Sequence, residues 1–258
     1  MKIIADIRFS AKEYPITKEG SAPLLDLALP DNVTPDTPLV IWFHGGGIDH
    51  GTKDGAARKI IEALAEYGIA AASCNYRLYP DGKYPEFIED AAESVAWCYE
   101  HIAEYTGSRG KIFIGGESAG AYLSMMLCFD RSYLLKYGID PDTDIAGWIH
   151  GGGQPTSHFN VLKERGLDTK RMIVDESAPF YHIDRNTFAP MVILTSTNDI
   201  PCRMYQLETL RATLLHWGFK KEIDFRIIEG GHCCYCKAGS DGRIEVVEIM
   251  KEFIAKYR

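Results

Sequence analysis

Short apolar runs alternate with segments of helical periodicity along most of this chain of 258 residues. The run Leu39–Phe43 is apolar throughout, as expected of a strand that is buried on both faces. Residues 85–105 instead place apolar side chains three and four positions apart, which is the spacing of a helix. The other predicted strands are 69–74, 111–115, 145–149, 191–195 and 223–228, and the other predicted helices are 56–67, 119–129, 205–217 and one over about 246–257.

Strands that alternate with helices in this way are typical of an α/β fold, in which helices cover both faces of a mostly parallel sheet. The length fits one large domain better than two small ones. We therefore predict a single α/β domain over residues 1–258, with about eight strands and no large cap domain. Residues 24–29 are predicted to add an antiparallel edge strand, and residues 151–184 are predicted to supply a small lid segment.

Charge and composition exclude several classes of partner. The formal net charge of −8 argues against a surface that binds nucleic acid or anionic lipid. No apolar run reaches the roughly 18 residues of a membrane helix, and Asp6 interrupts any apolar core of a signal peptide. The seven cysteines are an odd number, which favours reduced thiols over a disulfide framework. We expect a cytoplasmic protein that acts on a small molecule, while its oligomeric state does not follow from the sequence.

The strongest motif is Gly-Glu-Ser-Ala-Gly at residues 116–120, which follows one predicted strand and precedes a predicted helix. A nucleophilic serine stands on a tight turn between strand and helix, where the backbone is crowded. Small residues two positions before and after the serine relieve that crowding. The helix that follows would also point N–H groups at an anion formed there. Ser118 is therefore the predicted nucleophile.

A second motif, His-Gly-Gly-Gly at residues 44–47, directly follows the strand Leu39–Phe43. Glycines at this place let backbone N–H groups approach a developing oxyanion, although a plain glycine turn is the alternative. We predict an oxyanion hole formed by the N–H groups of Gly46, Gly47 and Ala119. His44, Gly45 and Ile48 are predicted to lie against the substrate.

A similar motif, His-Gly-Gly-Gly at residues 150–153, follows the predicted strand 145–149. It lies downstream of Ser118, where no oxyanion loop is expected in this arrangement. We predict a closely packed turn there, with Gly152 and Gly153 lining the substrate pocket.

Seven segments together resemble the α/β-hydrolase superfamily, and more closely its compact esterases of the hormone-sensitive-lipase and acetyl-esterase type. They occur in the order of that family and span nearly the whole chain: 24–30, 42–47, 75–80, 115–120, 177–182, 195–199 and 230–232. Two positions depart from the family pattern. Ile48 stands where an aromatic residue often follows the three glycines, and Cys-Cys-Tyr-Cys follows His232.

The resemblance implies a catalytic triad in the order serine, acid, histidine. Of the eight histidines, only His216 and His232 follow the predicted strand 191–195. His216 lies within a predicted helix, whereas His232 lies in a Gly-Gly-His loop after the last strand. His232 is therefore the predicted general base.

Asp199 is the predicted acid, because it lies just beyond the strand 191–195, where sites form in open α/β sheets. Asp175 and Asp184 are alternatives, but both precede that strand. Glu117 is interpreted as a buried hydrogen-bonding group, and Arg77 with Asp90 as a structural ion pair.

The predicted activity is that of a serine esterase acting on short-acyl carboxylic esters, such as acetyl groups on sugars or other small molecules. An amide hydrolase of the formamidase type is the main alternative, and a non-catalytic binding protein on the same scaffold is a weaker one. No cofactor and no metal are expected. Cys233 and Cys236 have no second pair nearby that would complete a four-ligand zinc site.

Overall fold

The computed structural model describes residues 1–257. Eight strands form one sheet in the order β1-β2-β4-β3-β5-β6-β7-β8. Strands β3 to β8 run parallel, whereas β2 is antiparallel to both β1 and β4. The predicted mostly parallel sheet of about eight strands is thereby confirmed. The strands are β1 Lys2–Arg8, β2 Leu24–Leu29, β3 Leu39–Phe43, β4 Ala70–Cys74, β5 Ile112–Glu117, β6 Gly147–Gly151, β7 Met191–Asn198 and β8 Ile223–Gly231.

Helices cover both faces of the sheet, and β3 contributes alternate side chains to the apolar cluster on each face. Leu39, Ile41 and Phe43 join one apolar cluster, while Val40 and Trp42 join the other. The first cluster packs against α2, α3 and α6, and the second against α1 and α7. The helices are α1 Ala56–Glu66, α2 Glu86–Thr106, α3 Ala119–Phe129, α4 Ser132–Leu135, α5 Phe159–Glu164, α6 Arg203–His216 and α7 Glu245–Tyr257.

The edge of the sheet differs from the prediction. Strand β2 is antiparallel as predicted, but it pairs on both sides, and β1 forms the edge instead. Three charged side chains, Lys2, Asp6 and Arg8, interrupt the apolar pattern of β1, and most of the strand is exposed or half-buried. An exposed edge strand needs no continuous apolar run, so its sequence carries little strand signal.

Strand β6 lies two residues later than the predicted strand 145–149. Its ladder with β5 extends to the pair Glu117 and Gly151, so His150 and Gly151 are strand residues rather than parts of a turn. Only Gly152 and Gly153 lie beyond the strand. Among residues 1–257, no helix is both long enough and apolar enough to cross a membrane.

Candidate active site

Ser118 occupies the sharp turn between β5 and α3, with φ of 53° and ψ of −112°. A positive φ is strained for a residue other than glycine and persists only where the surrounding packing enforces it. A Cβ atom at Gly116 would lie 2.5 Å from the carbonyl carbon of Gly120, and one at Gly120 would lie 2.0 Å from the carbonyl oxygen of Phe43. The two glycines therefore allow the turn that holds Ser118 at the carboxyl end of the sheet.

The three residues predicted as a triad meet at this end of the sheet. Nε2 of His232 lies 2.8 Å from Oγ of Ser118, and Nδ1 of His232 lies 2.5 Å from Oδ1 of Asp199. Asp199 directly follows β7 and His232 directly follows β8. Parallel strands bring their carboxyl ends to one edge, which is why residues 33 positions apart contact each other.

Asp199 is held as a carboxylate by several donors. Its Oδ1 accepts a hydrogen bond from the N–H of Ile200 at 2.7 Å, and its Oδ2 accepts from Oγ1 of Thr195 at 3.1 Å and from the N–H of Ser196 at 3.2 Å. Burial would raise the pKa of Asp199, but the hydrogen bonds and the charge of His232 outweigh burial and hold it below the usual 3.8. A carboxylate so placed fixes the proton on Nδ1 and leaves Nε2 free to accept one.

The alternative acids lie elsewhere. Asp175 accepts hydrogen bonds from Ser157 and Ser177 and pairs with Arg165, while Asp184 is exposed beside Arg185. The hydrogen bonds of His232 favour Asp199 over both.

The N–H groups of the predicted oxyanion hole are unoccupied. Those of Gly46, Gly47 and Ala119 donate to no acceptor within residues 1–257. Ala119 begins α3, so its N–H belongs to the free N-terminus of that helix. Gly46 adopts a φ of +121°, and a Cβ there would lie 1.8 Å from the carbonyl oxygen of His50. The glycine loop is therefore tightly packed, and its Gly46 and Gly47 line the same cavity as Ser118.

Asn160 ties this loop to the segment that follows β6. Its Nδ2 donates a hydrogen bond to the carbonyl oxygen of Gly47. Asn160 lies in the first turn of α5, where its own N–H donates to Nδ1 of His158 at 3.2 Å. No sequence pattern indicates Asn160, because neither it nor α5 is part of a motif.

The cavity beside Ser118 has a volume of about 460 Å³. His44 and Gly45, two of the five predicted pocket residues, line it. Ile48, Gly152 and Gly153 do not line it and are buried instead. The Ile48 side chain belongs to the apolar core, which corrects its predicted place against the substrate. Lining residues that the sequence did not indicate include His50, Thr52, Ala57, Phe159 and Ile200.

Gly152 and Gly153 pack against other residues of the protein interior. The carbonyl oxygen of Gly152 accepts a hydrogen bond from Arg203, and a Cβ at Gly153 would lie 2.4 Å from the methyl group of Met125. This packing corrects their predicted role as pocket residues.

Several further side chains that the sequence singled out have defined partners in the structure. The buried His44 ring stacks on Tyr76 at 4.4 Å, and burial lowers its pKa to about 4, so it stays neutral near pH 7. Burial likewise raises the pKa of Glu117, which lines the cavity. Arg77 and Asp90 form the predicted ion pair, with two contacts at 2.7 and 2.8 Å.

No group of three or more His, Cys, Asp or Glu side chains within residues 1–257 is arranged to hold a metal ion. Cys233 and Cys236 are free and buried, and Cys234 is half-buried.

Comparisons with known proteins find sequence similarity to ester hydrolases. Residues 25–136 match the family described as BD-FAE. The probable carboxylic ester hydrolase LipM of Mycobacterium tuberculosis (strain ATCC 25618 / H37Rv) is 37% identical over 199 residues, which are 70% of this chain and 46% of LipM. The chain thus spans about half the length of this curated relative.

Solved structures share the fold. Esterase B from Lactobacillus rhamnosis (HN001) superposes with a TM-score of 0.74 at 17% identity, covering 98% of this chain and 85% of its own. A truncated carbohydrate esterase from gut microbiota superposes with a TM-score of 0.75 at 15% identity, covering 100% and 96%. The chain therefore has the α/β-hydrolase fold, and its sequence is similar to that of carboxylic ester hydrolases.

Proposed function

We propose that this protein is a serine esterase that hydrolyses carboxylic esters through Ser118, His232 and Asp199. The observation that carries the proposal is the line of hydrogen bonds from Asp199 through His232 to the Ser118 hydroxyl, at 2.5 and 2.8 Å. Relatives named as ester hydrolases support the reaction class.

The reaction proceeds through an acyl-enzyme. Nε2 of His232 removes the proton from Ser118, and the serine oxygen attacks the ester carbonyl carbon. The N–H groups of Gly46, Gly47 and Ala119 stabilise the oxyanion of the tetrahedral intermediate. The alcohol leaves with the proton held by His232, and water then hydrolyses the acyl-enzyme by the same route.

We further propose short acyl groups, from acetyl to butyryl. Many of the residues that line the cavity are glycine or alanine, and the segment after β6 contributes only Phe159 of the six-residue helix α5. Such small side chains give a long acyl chain few contacts beside Ser118, where each buried methylene would contribute about 0.8 kcal/mol. Residues 151–184 remain the proposed lid segment, since Phe159 of α5 lines the cavity.

The proposed substrate partner is a small-molecule ester, for example an acetylated sugar, and the proposed location is the cytoplasm, because all seven cysteines are free. Fractionation of cells that express the tagged full chain tests the location.

A fluorophosphonate probe combined with 4-nitrophenyl acetate turnover tests the function. Labelling should be lost in Ser118→Ala and kept in Ser240→Ala, a matched change at an exposed serine. Absence of labelling in the parent protein would favour a non-catalytic binding protein. Faster turnover of N-formylkynurenine than of acetyl esters would favour the formamidase alternative.

A further inference from the structure

A second cavity, of about 610 Å³, adjoins the one beside Ser118. The two cavities share Phe159 and Ile200 as lining residues. Ile200 directly follows Asp199, so this shared wall lies next to the proposed catalytic residues. A substrate held at Ser118 can therefore extend a distal group into the second cavity.

Basic side chains, and no acidic ones, line the second cavity. Lys170, Arg171 and Arg203 line it, and no Asp or Glu side chain does. None of these three cations forms an ion pair within residues 1–257. In a chain whose formal net charge is −8, three unpaired cations around one cavity indicate complementarity to an anion.

Arg203 is the most constrained of the three. Its side chain is buried, with 4% of the residue exposed. It donates hydrogen bonds to the carbonyl oxygen of Gly152 and to Oε1 of Gln154, but its Nε has no partner. Burial lowers the pKa of its guanidinium, opposed by the charge of Asp199. A buried guanidinium without a carboxylate partner is costly, and an anion in the cavity that Arg203 lines would offset that cost by its charge.

The remaining wall of the cavity is largely apolar. Met172, Pro201 and Cys202 join Phe159 and Ile200 there. Such a wall suits the carbon skeleton of a ligand, while the cations suit its charged end.

We infer that this cavity binds a carboxylate borne by the ester substrate, so that the preferred substrates are esters with an apolar body and an anionic end. This inference rests on the proposed function, since it concerns the substrate of the same site. The carboxylate belongs to either the acyl group or the alcohol of the ester. The test uses one pair of substrates for each of these two positions.

The test compares kcat/KM for charged esters with that for neutral esters of the same shape. For the acyl side, 4-nitrophenyl hemiglutarate is paired with its methyl ester, and for the alcohol side, 4-acetoxybenzoate is paired with methyl 4-acetoxybenzoate. In one of the two pairs the charged ester should be preferred by about tenfold or more, as expected for charge-assisted hydrogen bonds. A preference for the neutral ester in both pairs would overturn the inference while leaving esterase activity intact.

Two variants locate the effect. The double variant Lys170→Gln/Arg171→Gln changes only exposed side chains, and Arg203→Met removes the buried charge while keeping an apolar stem. The charged-to-neutral ratio should fall about threefold in the double variant and about tenfold or more in Arg203→Met. The control Lys220→Gln removes an exposed cation that lines neither cavity and should keep the ratio. Unchanged ratios in both variants would contradict the site.

A binding measurement separates this inference from the proposed function. Calorimetry of 4-acetoxybenzoate and of glutarate monomethyl ester with Ser118→Ala needs no turnover. Tighter binding of either compound than of its uncharged methyl ester, weakened by Lys170→Gln/Arg171→Gln, would support the anion site even if no ester were hydrolysed. Equal affinities for charged and uncharged compounds would overturn it.

Discussion

Cys233 places its Sγ 3.6 Å from Nε2 of His232, the same nitrogen that contacts the Ser118 hydroxyl at 2.8 Å. A thiol and a hydroxyl thus lie beside one base. Burial raises the pKa of the Cys233 thiol to about 12, with the charge of Glu117 adding to the effect. The thiolate fraction near pH 7 is therefore negligible, and only thiolates are effective nucleophiles.

We predict from this contact that Ser118, not Cys233, attacks the ester. Ser118→Ala should lower kcat for 4-nitrophenyl acetate by about 10⁴-fold or more, whereas Cys233→Ala should lower kcat/KM by less than about fivefold. Mass spectrometry of the protein after a rapid acetyl-ester quench should place the acetyl group on Ser118. An acetyl thioester on Cys233 would reverse the assignment.

The second prediction concerns Asp199 and pH. The kcat/KM of the parent protein should fall in acid, because a protonated imidazole accepts no proton from Ser118. Asp199→Asn should lower kcat by about 10³- to 10⁴-fold, since an amide does not hold the proton on Nδ1 of His232. Stopped-flow rates from pH 5 to 9 measure both effects, and a flat profile would argue against a histidine base.

The same carboxylate links pH to stability. Folding lowers the pKa of Asp199 below its ordinary 3.8. The ionised carboxylate therefore stabilises the folded protein in full above pH 3.8, and this stabilisation is lost as the pH falls through the folded-state pKa. The difference in unfolding free energy between the parent and Asp199→Asn should therefore shrink in acid. Urea titrations at pH 7 and pH 3 compare the two proteins, and a difference that grew in acid would contradict this reading.

The third prediction concerns Asn160, which donates to the carbonyl oxygen of Gly47. Loss of this hydrogen bond should loosen the loop that carries the proposed oxyanion donors. Asn160→Ala should lower kcat about three- to tenfold with little change in KM, the cost of one such hydrogen bond. Asn186→Ala, at an exposed asparagine that bonds to Trp217, is the matched control. An equal loss in both variants would indicate a general effect on stability.

Much of this arrangement could be predicted from the sequence because the governing constraints are local. Strand β3 is apolar on both faces, and the glycines at 116 and 120 are required by contacts under 3 Å across the serine turn. Asp199 and His232 could be placed because each follows a parallel strand, and such strands end at one edge of the sheet.

The parts that the sequence did not reveal depend on contacts between distant segments. Asn160 bonds to a loop 113 residues away, and Arg203 bonds to Gly152 across 51 residues. Neither contact leaves a periodic pattern. The position of Ile48 next to the glycines predicts a place in the pocket, but its positive φ of 64° belongs to a turn that places the side chain in the core.

The fourth prediction concerns the packing behind Ser118. Gly120→Ala should destabilise the protein by about 3 kcal/mol or more, because its Cβ would lie 2.0 Å from the carbonyl oxygen of Phe43 and neither backbone can move freely. Gly231→Ala, where an added Cβ meets nothing within 4 Å, is the control and should cost less than about 1 kcal/mol. Urea unfolding measures both variants, and similar stabilities would show that the turn tolerates a methyl group.

The last prediction concerns the acyl chain. A cavity of about 460 Å³ walled in large part by glycine and alanine offers few contacts to a long chain. A series of 4-nitrophenyl esters should therefore show its highest kcat/KM between acetyl and butyryl. An apolar channel would add roughly 0.8 kcal/mol of binding for each further methylene, and no such gain is expected beyond butyryl. Phe159→Ala removes the largest apolar side chain on the wall and should shift the maximum toward longer chains, whereas Tyr181→Ala, at an exposed aromatic residue, should not. A maximum at octanoyl or longer in the parent protein would refute the short acyl site, and the response of that maximum to Phe159→Ala would then show whether the long chain runs past α5.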